Sequence, residues 1–280
     1  MGCWKQGMIH KTLLDRILEP GGLSVVFQPI FGLKEEGWRL HALECLIRGP
    51  RGTNIEQAPI LFDYARKKRE ESLVDRVCLA TVLKEAAELP GEPHLCINVH
   101  ASTLGRDQGF AAFVKETAAD NSISHSRLTI EIVEQVPFWD GPGFLNTLED
   151  FRSTGIQIAL DDVGLGQSNY RMALYCRPDY FKVDRHFVQG SHKDMYRQAI
   201  LESISMLARK FSARVVVEGV ETVEDLDATT YMGIDLVQGY LLSPPLAGAE
   251  LIDKGFLQGH IISPREIAPR VMAFGTRNAE

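Results

Sequence analysis

Little in this chain points toward a membrane, a nucleic acid or an oxidising exterior. No stretch approaches the ~18 continuous apolar residues of a membrane-spanning helix, and the N-terminus lacks the apolar segment of a signal peptide. Met1-Gly2-Cys3 has the start of a lipidation signal, but Gln6 stands where myristoylation wants Ser or Thr. Positive charge is in deficit, with 30 Lys and Arg against 37 Asp and Glu and a net charge of −7. That balance argues against a binder of DNA or RNA duplexes, yet leaves room for a small phosphate ligand held by metal ions and a few local cations. The 5 cysteines (Cys3, Cys45, Cys78, Cys96, Cys176) are scattered, with neither CxxC nor zinc-finger spacing. Cys45 and Cys96 fall inside apolar strand-like segments, which fits small core residues in a reducing compartment. No low-complexity tract or Ser/Pro-rich linker divides the chain. These absences predict a cytoplasmic protein without a membrane partner, forming one domain over residues 1–280. At 280 residues and 45% hydrophobic content the chain can bury one large core.

What is present is alternation of strand-like and helix-like segments. After a helix over 9–18, the Pro-Gly-Gly break at 20–22 opens the strand SVVFQPI. HALECLI, HLCINV, LTIEIV, QIALDD, DYFKVD, RVVVEG and IDLVQGY follow, separated mostly by helical patterns. Among the latter, 72–89 carries Leu73, Val74, Val77, Leu79 and Leu83 at helical spacing, and 195–211 carries Ile200, Ile204 and Leu207 on one stripe. About eight such repeats predict a TIM-type (β/α)8 barrel. The first link, FGLKEEGWR, is polar and too short for a crossover helix, so a hairpin is expected there and one strand runs antiparallel to the rest.

Seven of these apolar strands each carry one polar or ionisable residue toward the C-terminal end: Glu44, Asn98, Glu131, Asp161, Lys182, Glu218 and Gln238. A carboxylate in a strand buried on both faces is costly unless it meets a cation or a hydrogen-bond partner. Any one of them alone reads as an ordinary salt-bridged acid or satisfied amide; packing does not explain seven at matching positions. Period-2 alternation puts Glu44, Leu46 and Arg48 on one face, and likewise Cys96 with Asn98, Thr129 with Glu131, and Ala159 with Asp161. Barrel-facing residues at strand C-termini are where this fold places catalysis. An oxygen-rich set without His or Cys suits Mg²⁺ or Mn²⁺ better than zinc. The adjacent Asp161 and Asp162 allow one carboxylate to bridge two ions while its neighbour holds the second, an arrangement that serves phosphoryl displacement. Lys182 within such a cluster would orient or deprotonate a water, or neutralise an oxyanion.

Glu44-Cys45-Leu46-Ile47-Arg48 resembles the ExLxR signature of the EAL domain, the bacterial cyclic di-GMP phosphodiesterase. The resemblance continues through Gln28-Pro29, Asn98, Glu131-Ile132-Val133-Glu134, Asp161-Asp162, Lys182-Val183-Asp184, Glu218-Gly219-Val220-Glu221-Thr222 and Gln238-Gly239-Tyr240, over a core of about 23–250. It implies that Glu44, Asn98, Glu131 and Asp161 hold one metal ion, and Asp161, Asp162 and Glu218 the second. It further implies catalytic roles for Lys182, Glu218 and Asp162, with Lys182 acting on the attacking water. Gln238 would support the water network at the metals, and Gln28, Leu46 and Arg48, with Gln238, would line the substrate side. Glu134 and Glu221 would brace the loop after Asp162. The implied reaction is hydrolysis of cyclic di-GMP to linear pGpG with two Mg²⁺ or Mn²⁺ ions, in a homodimer. Two departures stand out. Cys45 replaces the Ala of the family triplet, and Val163, Leu165 and Gln167 replace the Phe, Thr and Tyr of a loop that in the family links the dimer interface to the second metal. A competing reading is a cyclic di-GMP receptor or scaffold that binds without turnover; a third is an unrelated two-metal barrel hydrolase.

Overall fold

The computed structural model describes residues 11–133, 141–165, 169–234, 236–263 and 265–267. Its strands are β1 (Ser24–Lys34), β2 (Gly37–Arg48), β3 (Leu95–His100), β4 (Leu128–Val133), β5 (Gln157–Leu160), β6 (Tyr180–Val183), β7 (Arg214–Val217), β8 (Leu236–Val237) and β9 (Ile261–Ile262). β2 through β8 run parallel to their neighbours, and β1 closes the ring by pairing antiparallel with both β2 and β8. The expected (β/α)8 barrel with one reversed strand is what forms.

The hairpin is tighter than its polar sequence suggests. The segments FGLK and GWR belong to the strands themselves, and only Glu35 and Glu36 lie between the paired residues Lys34 and Gly37. Gly37 has a φ of 139° and sits where a Cβ would come within 2.5 Å of the Ile262 carbonyl oxygen, so no other residue fits. That contact is with β9, an extra strand pairing Ile261 and Ile262 with Arg39 and Trp38 on the start of β2. The chain continues past the barrel. A short helix, Gly248–Asp253, forms there, followed by this two-residue strand, too short to show a period.

Alternation along the strands sorts the core into two parts. Inside the barrel, Ile30, Ala42, Cys96, Ala159, Tyr180, Val216 and Leu236 form a closed apolar layer. Residues of the opposite phase, such as Leu43, Cys45, Ile97, Ile130, Leu160, Phe181 and Val217, pack outward beneath the helices. Cys45 therefore faces the helices, as its phase predicts.

Two helical stripes turn out rotated from expectation. Helix Met195–Lys210, capped by Asp194 accepting from the Tyr196 and Arg197 amides, buries Leu201, Ile204, Ser205 and Ala208, while Ile200 lies outward. Helix Glu71–Ala87 buries Val74, Cys78, Leu79, Val82, Leu83 and Ala86, while Leu73 is exposed. In both, small or weakly polar residues complete the i, i+3, i+4, i+7 face, which a reading based on large apolar residues passes over. Cys45, Cys78, Cys96 and Cys176 are buried free thiols. Among the described residues no helix is long and apolar enough to cross a membrane.

Just past β8, Gly239 is pressed against the turn that follows β7. A Cβ there would lie 2.1 Å from the Val220 carbonyl oxygen and 2.3 Å from its nitrogen, atoms that cannot swing away. Gly239→Ala should therefore destabilise the protein by roughly 1–3 kcal/mol through overpacking, read as a lowered midpoint in denaturant unfolding. An unchanged midpoint would show that the two turns can separate without loss.

Candidate active site

Six staves of the barrel deliver their polar side chains to one point, the ammonium of Lys182 on β6. Lys182 is 1% exposed and lies directly above the inner apolar layer. Its Nζ donates to Glu131 Oε2 at 2.9 Å and sits 2.8 Å from Glu218 Oε1, 3.3 Å from Glu44 Oε1 and 3.5 Å from Asp161 Oδ1. Two amides brace the cluster: Gln238 Nε2 donates to Glu44 Oε2 at 2.6 Å, and Asn98 Nδ2 donates to Glu44 Oε1 at 3.1 Å. All seven side chains that stood out in the apolar strands thus converge. Asp161, Glu218 and Gln238 lie one residue beyond their strands, whereas Glu44 is well inside β2, which continues to Arg48.

One cation among four acids leaves the charges unbalanced, and the acids divide accordingly. Burial pushes Glu44 up, but Lys182, Gln238 and Asn98 outweigh it and hold the carboxyl below its ordinary value. For Glu131, burial dominates and the remaining acids add to it, so its carboxyl is pushed well up despite Lys182. Burial likewise raises Glu218 to about 8, and Asp162 to about 6 with help from Asp161 and Asp184. Burial opposes the charge on Lys182, yet the four carboxylates raise its affinity for the proton well above normal.

The remaining predicted residues surround this centre. Asp162 directly follows Asp161 and adopts a φ of 52°. The Val163 amide donates to the Lys182 carbonyl, and Val163 is buried in the outer core, so in this altered loop it acts as packing. Leu165 is exposed; Gln167 lies outside the described residues. Gln28 is opposite Glu44 across the β1–β2 ladder, half-buried, and donates to the Ser243 carbonyl at 3.5 Å. Leu46 and Arg48 continue the same face of β2, both half-buried, with Arg48 Nη1 donating to the Ile47 carbonyl at 3.1 Å. Glu221 is exposed, and Glu134 lies outside the described residues.

A cleft of about 330 Å³ opens beside the acids, lined on one side by Glu44, Asn98, Asp161 and Asp162. The match of the EAL domain family model runs over residues 11–245. The chain belongs to the EAL domain family. A protein of Escherichia coli named cyclic di-GMP phosphodiesterase PdeL is 34% identical over 169 residues, covering 59% of this chain and 46% of the relative. The uncharacterized protein y4lL of Sinorhizobium fredii is 30% identical over 244 residues, 86% of this chain and 29% of the relative. The chain thus spans less than half the length of either. Among solved structures, the manganese/cy-diGMP complex of Klebsiella pneumoniae BlrP1 at pH 6 aligns with a TM-score of 0.72 and 27% identity, over 82% of this chain and 57% of that one. The calcium/cy-diGMP complex of the same protein at pH 8.0 gives a TM-score of 0.72 and 26% identity, over 81% and 56%.

Within this EAL domain the donor set fits a hard divalent cation. Every candidate ligand offers oxygen. Glu131 Oε1 and Gln238 Oε1 are buried without a hydrogen-bond partner, and so are Asp161 Oδ1 and Glu218 Oε1, whose contact with Lys182 is ionic only. Among the described residues no ready-made ion cage is formed by three acidic, His or Cys side chains; the Lys182 ammonium draws the acids onto itself.

The opposite wall of the EAL cleft was not anticipated. It brings in Phe62, Arg66, Glu71, Ser102 and Arg106 from helices and His100 from the last position of β3, places where polar residues are unremarkable in sequence. His100 is held by Asp75, which accepts from its backbone N–H at 3.1 Å and from Nδ1 at 2.8 Å. At the other mouth of the barrel, His41 Nε2 meets Tyr180 Oη at 3.1 Å and His94 Nε2 meets Thr129 Oγ1 at 2.7 Å. Burial and the nearby Arg127 push His94 down to about 4, so its imidazole is neutral near pH 7.

The raised carboxyls give a pH signature. Glu218 keeps its proton to about 8 when folded but releases it near ~4.3 when unfolded. The folded state therefore binds more protons between those values, and this contribution to stability is lost as pH rises from about 5 to 8. Glu131 acts in the same sense; Glu44 and Lys182 are shifted in directions that place their effects below and above this window. Divalent metal that displaces the protons should raise the melting temperature more at pH 8 than at pH 5. Equal metal-induced shifts at the two pH values would contradict this charge assignment.

Proposed function

We propose that this chain is one EAL-type unit over 1–280, with its core at about 23–250, that hydrolyses cyclic di-GMP to linear pGpG. The observation that carries the reading is the convergence of four carboxylates, two amides and one lysine at the C-terminal end of the barrel, beside a cleft. The relatives named as cyclic di-GMP phosphodiesterases support it. So does crystallisation of BlrP1 with cy-diGMP and manganese or calcium.

Glu44, Asn98, Glu131 and Asp161 would hold one divalent ion, Mg²⁺ or Mn²⁺, and Asp161, Asp162 and Glu218 a second. When bound, such ions supply Lewis acidity to a phosphoryl oxygen and lower the pKa of water. The chain's own groups then divide the work. Water oxygen, oriented by the Lys182 ammonium, attacks phosphorus, and its proton is released to solvent. The P–O3′ bond breaks, the 3′-oxygen takes up a proton, and the phosphate stays on the 5′ side. Lys182 keeps its proton at Nζ and stabilises the charge gathering on the phosphoryl oxygens. Gln238 and Asn98 fix the orientation of Glu44. Gln28, Leu46 and Arg48 border the same face and would contact the dinucleotide.

One observation favours a receptor that binds without turnover: the loop after Asp162, where Val163 packs into the core and Leu165 is exposed in place of the family residues. The exposed Tyr170 and Leu174 on the following helix, Asn169–Cys176, support contact with a second copy. We place the protein in the cytoplasm, acting on a small cyclic dinucleotide.

Incubation with cyclic di-GMP and Mg²⁺ or Mn²⁺, followed by chromatographic separation, should yield pGpG, and excess chelator should abolish the reaction. Binding without any linear product would establish the receptor reading instead, and turnover undiminished in chelator would contradict the metal assignment. Glu44→Ala should lower the rate by on the order of a hundredfold or more, whereas Cys45→Ala, on the opposite face, should stay within about threefold of the parent. Equal effects at the two positions would mean that the face assignment of β2 does not govern catalysis.

A further inference from the structure

Glu218 lies one residue past β7, and the turn that follows it is fastened from two sides. Toward β8, the Val220 amide donates to the Gln238 carbonyl at 3.1 Å and the Leu241 amide to the Val220 carbonyl at 3.1 Å. Toward β6, the Glu218 amide donates to the Val183 carbonyl at 3.0 Å, and Gln189 Nε2 donates to the Gly219 carbonyl at 3.2 Å. Gly219 has a φ of 66°, and a Cβ on it would lie 2.3 Å from the Cβ of Arg185. The segment after β6 is thus pressed directly against this turn.

Gln189 is itself anchored. Its backbone N–H donates to the Arg185 carbonyl at 2.8 Å, and its own carbonyl accepts from Arg197 Nη1 at 2.8 Å. The residues just beyond it end on Asp225, in the first turn of helix Val223–Tyr231. That carboxylate, on a residue only 2% exposed, accepts from His192 Nδ1 at 2.7 Å, the Gly190 amide at 3.1 Å, the His192 amide at 3.5 Å and Thr222 Oγ1 at 2.9 Å. Capping the helix needs none of this, because Thr222 Oγ1 already accepts from the Asp225 amide at 3.2 Å. Three of the four bonds to the carboxylate come instead from the connection after β6. A buried carboxylate committed in this way makes a stiff tie, and it joins the two connections that meet at Gly219.

We infer that Gln189, backed by the Asp225–His192 pair, is a positioning residue that fixes the aim of the Glu218 carboxylate and thereby the affinity for the second divalent ion. The inference rests on the two-ion reading above. Glu44 is held through its carboxylate by the amides of Gln238 and Asn98, whereas Glu218 receives no side-chain amide among the described residues. Its direction is therefore set by the backbone beneath it, and Gln189 grips that backbone at the residue immediately after Glu218. Partners that orient a metal ligand without touching the metal act by reducing the freedom the ligand must lose on binding.

Calorimetric titration of the full chain with Mn²⁺, in the absence of nucleotide, tests this. The wild type should show two binding steps, one of which is abolished by Glu218→Gln. Gln189→Leu should weaken that same step by about tenfold or more and leave the other within about twofold, as for an outer partner of one ligand. Asp225→Asn, which places a donor where the tie needs an acceptor, should weaken the same step. Thr147→Val serves as the control: it removes a buried hydrogen bond to the Leu104 carbonyl at 2.9 Å on helix Gly141–Ser153. It should lower the melting temperature and leave both steps unchanged. Gln189 is half-buried, so Gln189→Leu keeps the test decisive even where Asp225→Asn fails to fold. A folded Gln189→Leu protein with both Mn²⁺ steps as in the wild type would overturn the inference and make the tie a structural link only. A wild type that binds fewer than two ions would overturn the two-ion reading, and the positioning role with it.

Discussion

One buried ammonium facing four carboxylates is the constraint on which the rest of this molecule depends. Lys182 is seated on an apolar layer that closes the barrel below it, so the charges above are poorly screened by water. A single positive charge cannot neutralise four negative ones in such surroundings. The chain meets the imbalance in two ways at once: Glu44 is kept ionised by Lys182 and two amides, while Glu131 and Glu218 are driven to hold protons. Protons held this way can be exchanged for a divalent cation, which is the physical link between the electrostatics of the fold and the proposed phosphoryl-transfer chemistry.

The barrel exists in the form this cluster requires. Small inward residues, Ala42, Cys96 and Ala159, leave room for Tyr180 to fill the centre, and the layer they form sets the floor. Reversal of β1 lets the β1–β2 hairpin place Gln28 directly across from Glu44 and carry β2 on to Leu46 and Arg48 on the same face, paired with Val26 and Ser24. One long strand thereby joins the acid centre to the side where a dinucleotide would lie. On the far side of the cleft the supports are of another kind: Asp75 organises His100 and Thr103 from within a helix.

The site was legible in the sequence to the extent that it broke a local rule. Polar residues in strands that should be apolar draw notice, and period-2 alternation assigns each to a face, which is why Glu44 and Cys45 could be placed on opposite sides and the seven converging residues named. The same logic is blind to Glu71 and His100. An acidic residue in the first turn of a helix and a histidine at the last position of a strand are ordinary, and only the fold brings them to one wall. The helix faces were misread for a related reason: burial of Ser205, Ala208 and Cys78 depends on how closely each helix approaches the sheet, which hydrophobicity alone does not encode. Strand β9 is held by pairing to the start of β2 across Gly37, a tertiary contact with no local signal.

The central claim is that the cluster around Lys182 is a metal centre awaiting cations rather than a self-sufficient salt-bridge network. Anomalous diffraction from crystals of the protein grown with Mn²⁺ at pH 8 tests it most directly. The account predicts anomalous peaks bonded to oxygens of Glu131, Asp161 and Glu218, with the acids drawn away from the lysine. Diffraction without such peaks, with all four carboxylates still gathered on Nζ, would contradict it.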